Sequence, residues 1–208
     1  MPAPESLTYN SLVTDIESYS ERSDEEFLLK IPRFVMLAEQ RLAMEAKGLG
    51  LVKVAEFKLE VGNSVYVKPA RWRQTKSMLY VTSDNETVFL KPRNYGYCRA
   101  FGTNEPTGLP KYYSDIDYTH WYLAVRPNAA FNAEVTYYER PDSLSEANQT
   151  NWTTRNAPQL LLYASLLEAQ PYLKNTANLA MWQAQYAEMV ASVLKEESNF
   201  DSDETEAK

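Results

Sequence analysis

The hydrophobic period of this chain changes from helical to strand-like and back again, and that double change limits the fold more than any single motif. Leu12 and Ile16 stand one helical turn apart with Val13 beside them, and Ser18 to Arg22 is a polar break. Phe27, Ile31, Val35, Ala38 and Leu42 then recur at helical spacing and make one apolar stripe. Ser23-Asp24-Glu25-Glu26 before it fits a capping box, with Ser23 as N-cap and Glu26 at the third helical position. Pro32 interrupts the stripe. It lacks a backbone donor and clashes with the preceding turn, which predicts a short helix, a kink, then a longer helix starting near Pro32. Lys47-Gly48 suits the end of that helix, cation and glycine both favouring a C-terminus.

From about Leu51 the period becomes two. Phe57, Leu59 and Val61 alternate with Lys58 and Glu60, and Gly62-Asn63 leads into Val65 and Val67, the pattern of a two-residue hairpin with a type II′ turn. Met78 to Thr82 and Thr87 to Leu90 read as strands around Ser83-Asp84-Asn85. Trp121, Leu123 and Val125 alternate with Tyr122, Ala124 and Arg126, Pro127-Asn128 turns the chain, and Phe131, Ala133, Val135 and Tyr137 alternate again. Residues 92–118 carry Gly, Pro and many Tyr without clear periodicity and read as one long loop.

Helix returns after Pro141. Asn156-Ala157-Pro158 is a helix start, and Leu160 to Ala169 is apolar on nearly every face, as in a helix buried on several sides. Pro171 is expected to stop it. A last helix from about Thr176 carries Leu179, Trp182, Tyr186, Met189 and Val193 as a stripe, and the acidic run after Lys195 has the composition of a disordered tail. Neither helical end can bury its apolar faces alone. The expected fold is therefore α+β: an α-helical bundle formed by the N- and C-terminal helices, with an inserted antiparallel β-sheet or sandwich. The boundaries are 1–48 for the first helices, 49–142 for the β-rich insertion, 143–197 for the C-terminal helical hairpin and 198–208 for a flexible acidic tail.

Composition removes several function classes. With one Cys and one His, a disulfide framework and a Cys/His zinc site are both excluded. Six glycines in 208 residues leave no phosphate-cradling loop, and there is no nucleophile elbow or HExxH. No cofactor is expected. A net charge of -7 argues against a surface built to grip phosphates. A mean hydropathy of -0.49 and the lack of a long apolar run imply a soluble chain without a membrane partner. The opening Met1-Pro2-Ala3-Pro4-Glu5 has neither a basic region nor an apolar run, so no secretory signal is expected.

Candidate sites remain. Asp115, Asp117 and His120 lie within six residues and could bind a metal or run acid–base chemistry. In a strand, however, the two carboxylates share one face and His120 points to the other; only a loop would gather all three. Lys91, Arg93, Tyr95, Tyr97 and Arg99, and also Arg71-Trp72-Arg73 with Lys76, have the residue types that stack and neutralise single-stranded nucleic acid. A nucleic-acid-binding module using the 91–99 cluster is the alternative function. The same Arg, Tyr and Trp are what protein interface hot spots are made of, and the acidic net charge favours that reading. The fifteen Tyr and four Trp serve equally as strand formers.

Two stretches carry a family resemblance. Tyr9-Asn10-Ser11-Leu12, continued by Phe27-Leu28-Leu29-Lys30-Ile31-Pro32-Arg33-Phe34 and Ala38-Glu39-Gln40-Arg41-Leu42, resembles the opening of the head-to-tail adaptor (connector) proteins of tailed bacteriophages. Asn156-Ala157-Pro158-Gln159-Leu160 through Pro171-Tyr172-Leu173-Lys174, with Leu179-Ala180-Met181-Trp182 and Tyr186, is similar to their closing helical hairpin. The resemblance implies a structural virion protein of the neck, assembled in the host cytoplasm, and no enzyme. It implies a homo-oligomeric ring, commonly of twelve copies, that binds beneath the portal protein, extends the channel for viral DNA and offers a platform to a tail or nozzle protein. The DNA would pass without sequence-specific binding. Candidate interface residues are Asn199, Phe200 and Asp201 in the tail, with Phe200 as apolar anchor, and Arg93, Tyr95, Tyr97, Arg99, Tyr112 and Tyr113 in the insertion.

Overall fold

The computed structural model describes residues 7–45, 51–173 and 178–203, with side chains up to Lys195 in the last helix. Three helices come first: α1 (Tyr9–Ser20), α2 (Glu25–Leu28) and α3 (Ile31–Glu45). The middle holds β1 (Val52–Leu59), β2 (Val65–Val67), β3 (Trp72–Val81), β4 (Thr87–Phe89), β5 (Lys91–Pro92), α4 (Tyr95–Asn104), β6 (Thr107–Gly108), β7 (Tyr112–Asp115), β8 (His120–Leu123), β9 (Arg126–Pro127) and β10 (Phe131–Glu139). Then follow α5 (Trp152–Asn156), α6 (Pro158–Leu173) and α7 (Leu179–Asp203). The fold is α+β and divides into two units: Met1–Leu51 with Pro141–Lys208, and Val52–Arg140.

In the helical unit, α6 is the centre. It packs against α1, α3, α5 and α7, and Leu160, Leu161, Leu162, Ala164, Leu166 and Ala169 are all buried. Leu12, Ile16, Phe27, Ile31, Val35 and Ala38 supply the N-terminal half of the same core. Fully burying one such side chain stabilises by about 1.5–3 kcal/mol, so this contact set dominates the unit. Pro158 opens α6 where a missing N–H costs nothing. Pro171 does not stop the helix as expected, because α6 runs on to Leu173 and carries that proline in its last turn. Lys47, Gly48 and Thr176 lie outside the described residues.

Thr8 caps α1 in a reciprocal box, its Oγ1 accepting from the Ser11 N–H (3.2 Å) while Ser11 Oγ accepts from the Thr8 N–H (2.9 Å). At α2 the cap is Asp24, one residue after the expected Ser23. The Asp24 carboxylate accepts from the Phe27 N–H at 3.1 Å and holds Arg22 at 2.7 Å, a charge-assisted pairing that a serine hydroxyl does not make. Arg22 in turn lies over the rings of Phe27 and Tyr172. The α7 backbone continues to Asp203, past the point where composition predicts order to end. A helix already anchored by buried Trp182 and Tyr186 extends at little cost through good helix formers such as Lys195, Glu196 and Glu197.

One buried carboxylate ties the return of the chain to α3. Glu39, 5% exposed, accepts from Asn151 Nδ2 at 2.7 Å and from the Leu144 N–H at 3.2 Å. Asn151 also caps α5, its Oδ1 accepting from the Thr154 N–H. Sequence periodicity places helix soon after Pro141. The segment instead stays irregular up to Asn151, held by these bonds.

The β-rich unit is a sandwich. One sheet has the order β1-β10-β3-β4 and the other β2-β8-β7-β5, with β6 and β9 as a short parallel pair. Inner faces meet over Leu59, Met78, Tyr80, Phe131, Ala133 and Val135 from the first sheet and Tyr66, Tyr113, Trp121 and Leu123 from the second. Both indole N–H groups of Trp72 and Trp121 donate to the single Thr75 hydroxyl (3.1 and 3.2 Å). The hairpin of β3 with β4 forms as the pattern predicts. The other two expected hairpins do not. Gly62-Asn63 carries the chain from β1, in the first sheet, to β2, in the second, and Pro127-Asn128 lies between β8 and β10, again in different sheets. Crossing sheets lets Leu59 and Tyr66 enter one core from opposite walls, which a hairpin would forbid. Gly62 sits at φ 75°, and its N–H donates to the Pro127 carbonyl at 2.9 Å, so the two crossings brace each other.

Burial pushes the Glu39 carboxyl up to about 7 from the ordinary 4.5, partly offset by its two hydrogen-bond donors. The native state then holds this proton more tightly than the unfolded chain, so the contribution is full below about pH 4.5 and is lost as pH rises through about 7. The difference between parent and Glu39→Gln in urea melts across that window is expected to be on the order of 3 kcal/mol, the parent losing stability with rising pH and the variant not. Glu39→Ala strands two buried donors and is expected to cost about 1–3 kcal/mol at every pH.

Candidate functional site

The stretch expected to be a loop contains the surface of interest. Asn94 caps α4 by accepting from the Tyr97 N–H at 2.7 Å, and that local bond starts a helix where apolar periodicity gives no signal. The helix lies over the outer face of the second sheet, with Cys98 fully buried against Tyr122 and Ala124, and Phe101 and Tyr112 around them. Burial pushes the Cys98 thiol up, so it is an inert core residue. The seat is tight. A Cβ on Gly102 would lie 1.9 Å from the Ala124 carbonyl oxygen.

This arrangement sorts the candidate residues. The Arg93 guanidinium lies 5.8 Å from the Tyr97 ring centre and 5.5 Å from that of Tyr112. Arg99 lies 5.5 Å from the Tyr122 ring centre, and Tyr95 meets the same ring edge-on at 5.5 Å. Tyr97 stacks on Phe101 and meets Tyr112 edge-on. Arg93, Tyr95, Tyr97, Arg99 and Tyr112 thus form one cation–aromatic surface, with Tyr95 and Tyr97 each more than 40% exposed. Tyr113 does not belong to it. It points into the sandwich, where burial and then the nearby Asp115 carboxylate push its phenol up to about 12. Neither arginine has a carboxylate partner among the described residues.

Phe101 and Gly102 also belong to this surface, although neither composition nor periodicity marks them, and Tyr122 joins it on the face opposite Trp121 and Leu123. The signals that find them are Asn94 as a cap and Tyr97–Phe101 at i,i+4. The rings pack on one another and on the guanidiniums while Tyr95 and Tyr97 stay partly exposed.

The other candidates resolve into structural parts. The turn between β7 and β8 does bring Asp117 and His120 together, His120 Nδ1 lying 3.3 Å from both Asp117 oxygens. Asp117 is a turn cap: bonds from the Thr119 hydroxyl and N–H and from the His120 N–H hold its carboxyl well below the usual range. Asp115 points elsewhere, to Lys68 at 2.6 Å. The Lys68 side chain is fully buried over the Trp72 ring, and its ammonium also donates to the Asp117 carbonyl at 2.7 Å. Among the described residues no three His, Cys, Asp or Glu converge to hold a metal. Arg71 bonds to Glu139, whereas Trp72, Arg73 and Lys76 line one open groove together with Thr75, Pro92, Tyr113 and Asp115, whose carboxylate offsets the basic charge there. The side chains of Asn199, Phe200 and Asp201 lie outside the described residues.

The family described as SU10 adaptor protein matches residues 7–205. The chain belongs to the SU10 adaptor protein family. Among curated proteins none matches it. The family match spans the β-rich unit as well as both helical ends, which carry the resemblance. Membership in this family suggests a structural role as a bacteriophage adaptor and a virion component, and it points away from an enzyme. No helix among the described residues is long and apolar enough to cross a membrane.

The seating of α4 is open to direct test. Gly102→Ala is expected to destabilise the β-rich unit by about 1–3 kcal/mol and to speed amide exchange through α4. At Gly96 an added Cβ meets only Asn94 Oδ1 at 3.6 Å. Gly96→Ala should be neutral or stabilising by up to about 1 kcal/mol in the same denaturant melts.

Proposed function

We propose that copies of this chain form the head-to-tail adaptor ring, bound beneath the portal, extending the DNA channel and presenting a platform to a tail or nozzle protein. The observation that carries the reading is the family match over residues 7–205. The physics of the chain supports it. A net charge of -7 suits a wall that DNA passes without being retained, since like charge repels the phosphates. A ring of identical copies needs heterologous contacts, with two different faces on each subunit. The α4 surface, rich in the Arg and Tyr of interface hot spots, is one such face. The end of α7, with Asn199, Phe200 and Asp201, is the docking element for the portal, Phe200 serving as its apolar anchor.

Two measurements test this. An asymmetric reconstruction of the intact particle should place the chain in the neck; its absence there overturns the reading. A chain truncated after Lys195 should keep the parent's thermal unfolding but co-sediment with portal-bearing heads at least about tenfold more weakly. Full co-sedimentation of the truncated chain removes the docking role from residues 196–208 and leaves the ring to be judged by the reconstruction.

A further inference from the structure

The outer face of the first sheet is an unpartnered surface whose charge is opposite to that of α4. Register places Glu56 of β1 directly across from Glu134 of β10, and the same row continues to Leu79 of β3 and Phe89 of β4. Two carboxylates facing each other on neighbouring strands destabilise a sheet, and neither has an ion-pair or hydrogen-bond partner among the described residues. Lys58 and Val81 stand in the next row, and a depression of about 510 Å³ opens between them. Phe89 is 60% exposed. Asp84 and Glu86, both exposed in the turn joining β3 to β4, add to the negative field at this edge. Lys58 offsets one of these carboxylates, so the face is acidic on balance, with an apolar strip beside it.

The α4 surface is its complement, with two guanidiniums lacking carboxylate partners and two exposed tyrosines gathered at one helix. The two surfaces also lie on opposite sides of one unit. Glu56, Glu134 and Leu79 point away from the sandwich core on the first sheet, whereas α4 covers Tyr122 and Ala124 on the outward side of the second. A two-fold dimer would set arginine against arginine or glutamate against glutamate. Opposite charge on opposite sides instead favours head-to-tail addition of identical copies, the heterologous contact that closes into a ring when the rotation allows.

We infer that the outer face of the first sheet, at Glu56, Glu134, Leu79 and Phe89, docks the α4 surface of the next copy of this chain, at Arg93, Tyr95, Tyr97 and Arg99. The contact deepens the ring proposed above by naming the two faces that meet, and its closure into a ring rests on that reading. Tyrosine rings cover Leu79 and Phe89 while the guanidiniums neutralise the facing carboxylates. Screening by salt weakens the encounter.

Charge exchange tests the contact on the full chain. Sedimentation velocity at rising protein concentration and low salt should show the parent forming dimers and larger species. The double variants Glu56→Arg with Glu134→Arg, and Arg93→Glu with Arg99→Glu, should each self-associate at least about tenfold more weakly, with thermal unfolding unchanged as the check on folding. Mixed in equal amounts they should regain parental association, because every junction again pairs unlike faces. A parent that stays monomeric, variants that associate like the parent, or a mixture that stays apart overturns the inference. So does single-stranded DNA binding that depends on Arg93 and Arg99 while self-association does not. Co-sedimentation with portal-bearing heads is read separately. Portal binding by a chain that does not self-associate sinks this contact alone, and self-association by a chain that ignores the portal sinks the neck reading alone.

Discussion

The helical unit depends on one condition: α6 is apolar on nearly every face and most of it has to be enclosed. No single neighbour can do this, since a helix packed on one side leaves the rest of its surface in water. The enclosure comes from both ends of the chain, α1 and α3 from before the β-rich segment and α5 and α7 from after it. That requirement makes the helical unit discontinuous in sequence and leaves Val52–Arg140 to fold as an insertion with its own core. Glu39 serves the same closure. A buried carboxylate is costly, and its bonds to Leu144 and Asn151 hold the returning chain against α3 where it re-enters the unit.

The insertion solves its own packing with few polar groups. One threonine hydroxyl satisfies two indoles, and one lysine, buried over a tryptophan, finds a carboxylate and a carbonyl. The same economy of polar groups explains why Asp115, close in sequence to Asp117 and His120, does not join them. Each carboxylate is committed to holding a strand end or a turn. The uncommitted groups are of another kind. Arg93 and Arg99 at α4, and Glu56 and Glu134 on the first sheet, are charges without an opposite charge beside them among the described residues, the mark of surfaces that meet other molecules.

Much of this architecture is legible in the residue pattern alone. The helical stripe from Phe27 to Leu42, the all-round apolar run from Leu160 to Ala169 and the alternation from Phe131 to Tyr137 each appear as the element their period predicts. The candidate surface is legible in composition but not in shape. Arg93, Tyr95, Tyr97 and Arg99 stand out by residue type, yet their helix does not, because its start rests on the Asn94 cap and its seat on the close approach of Gly102 to Ala124. Tyr112 and Tyr113 show the limit most simply. Adjacent in sequence and identical in type, one joins the outer surface and the other the core, and only the strand register of β7 decides which.

What the sequence determined by itself was local: where the period is helical, where it is two, and that neither helical end could be stable without the other. Those follow from side-chain spacing and the cost of leaving apolar faces wet. Tertiary structure alone decided the partners. Gly62-Asn63 and Pro127-Asn128 have the local chemistry of hairpin turns, and local chemistry does not say which sheet the next strand will join. The shared core of the sandwich decides that, because Leu59 and Tyr66 gain burial only by entering from opposite walls. The change of period near residue 50 is therefore a sound guide to what the chain forms, while the pairing of those parts depends on long-range packing.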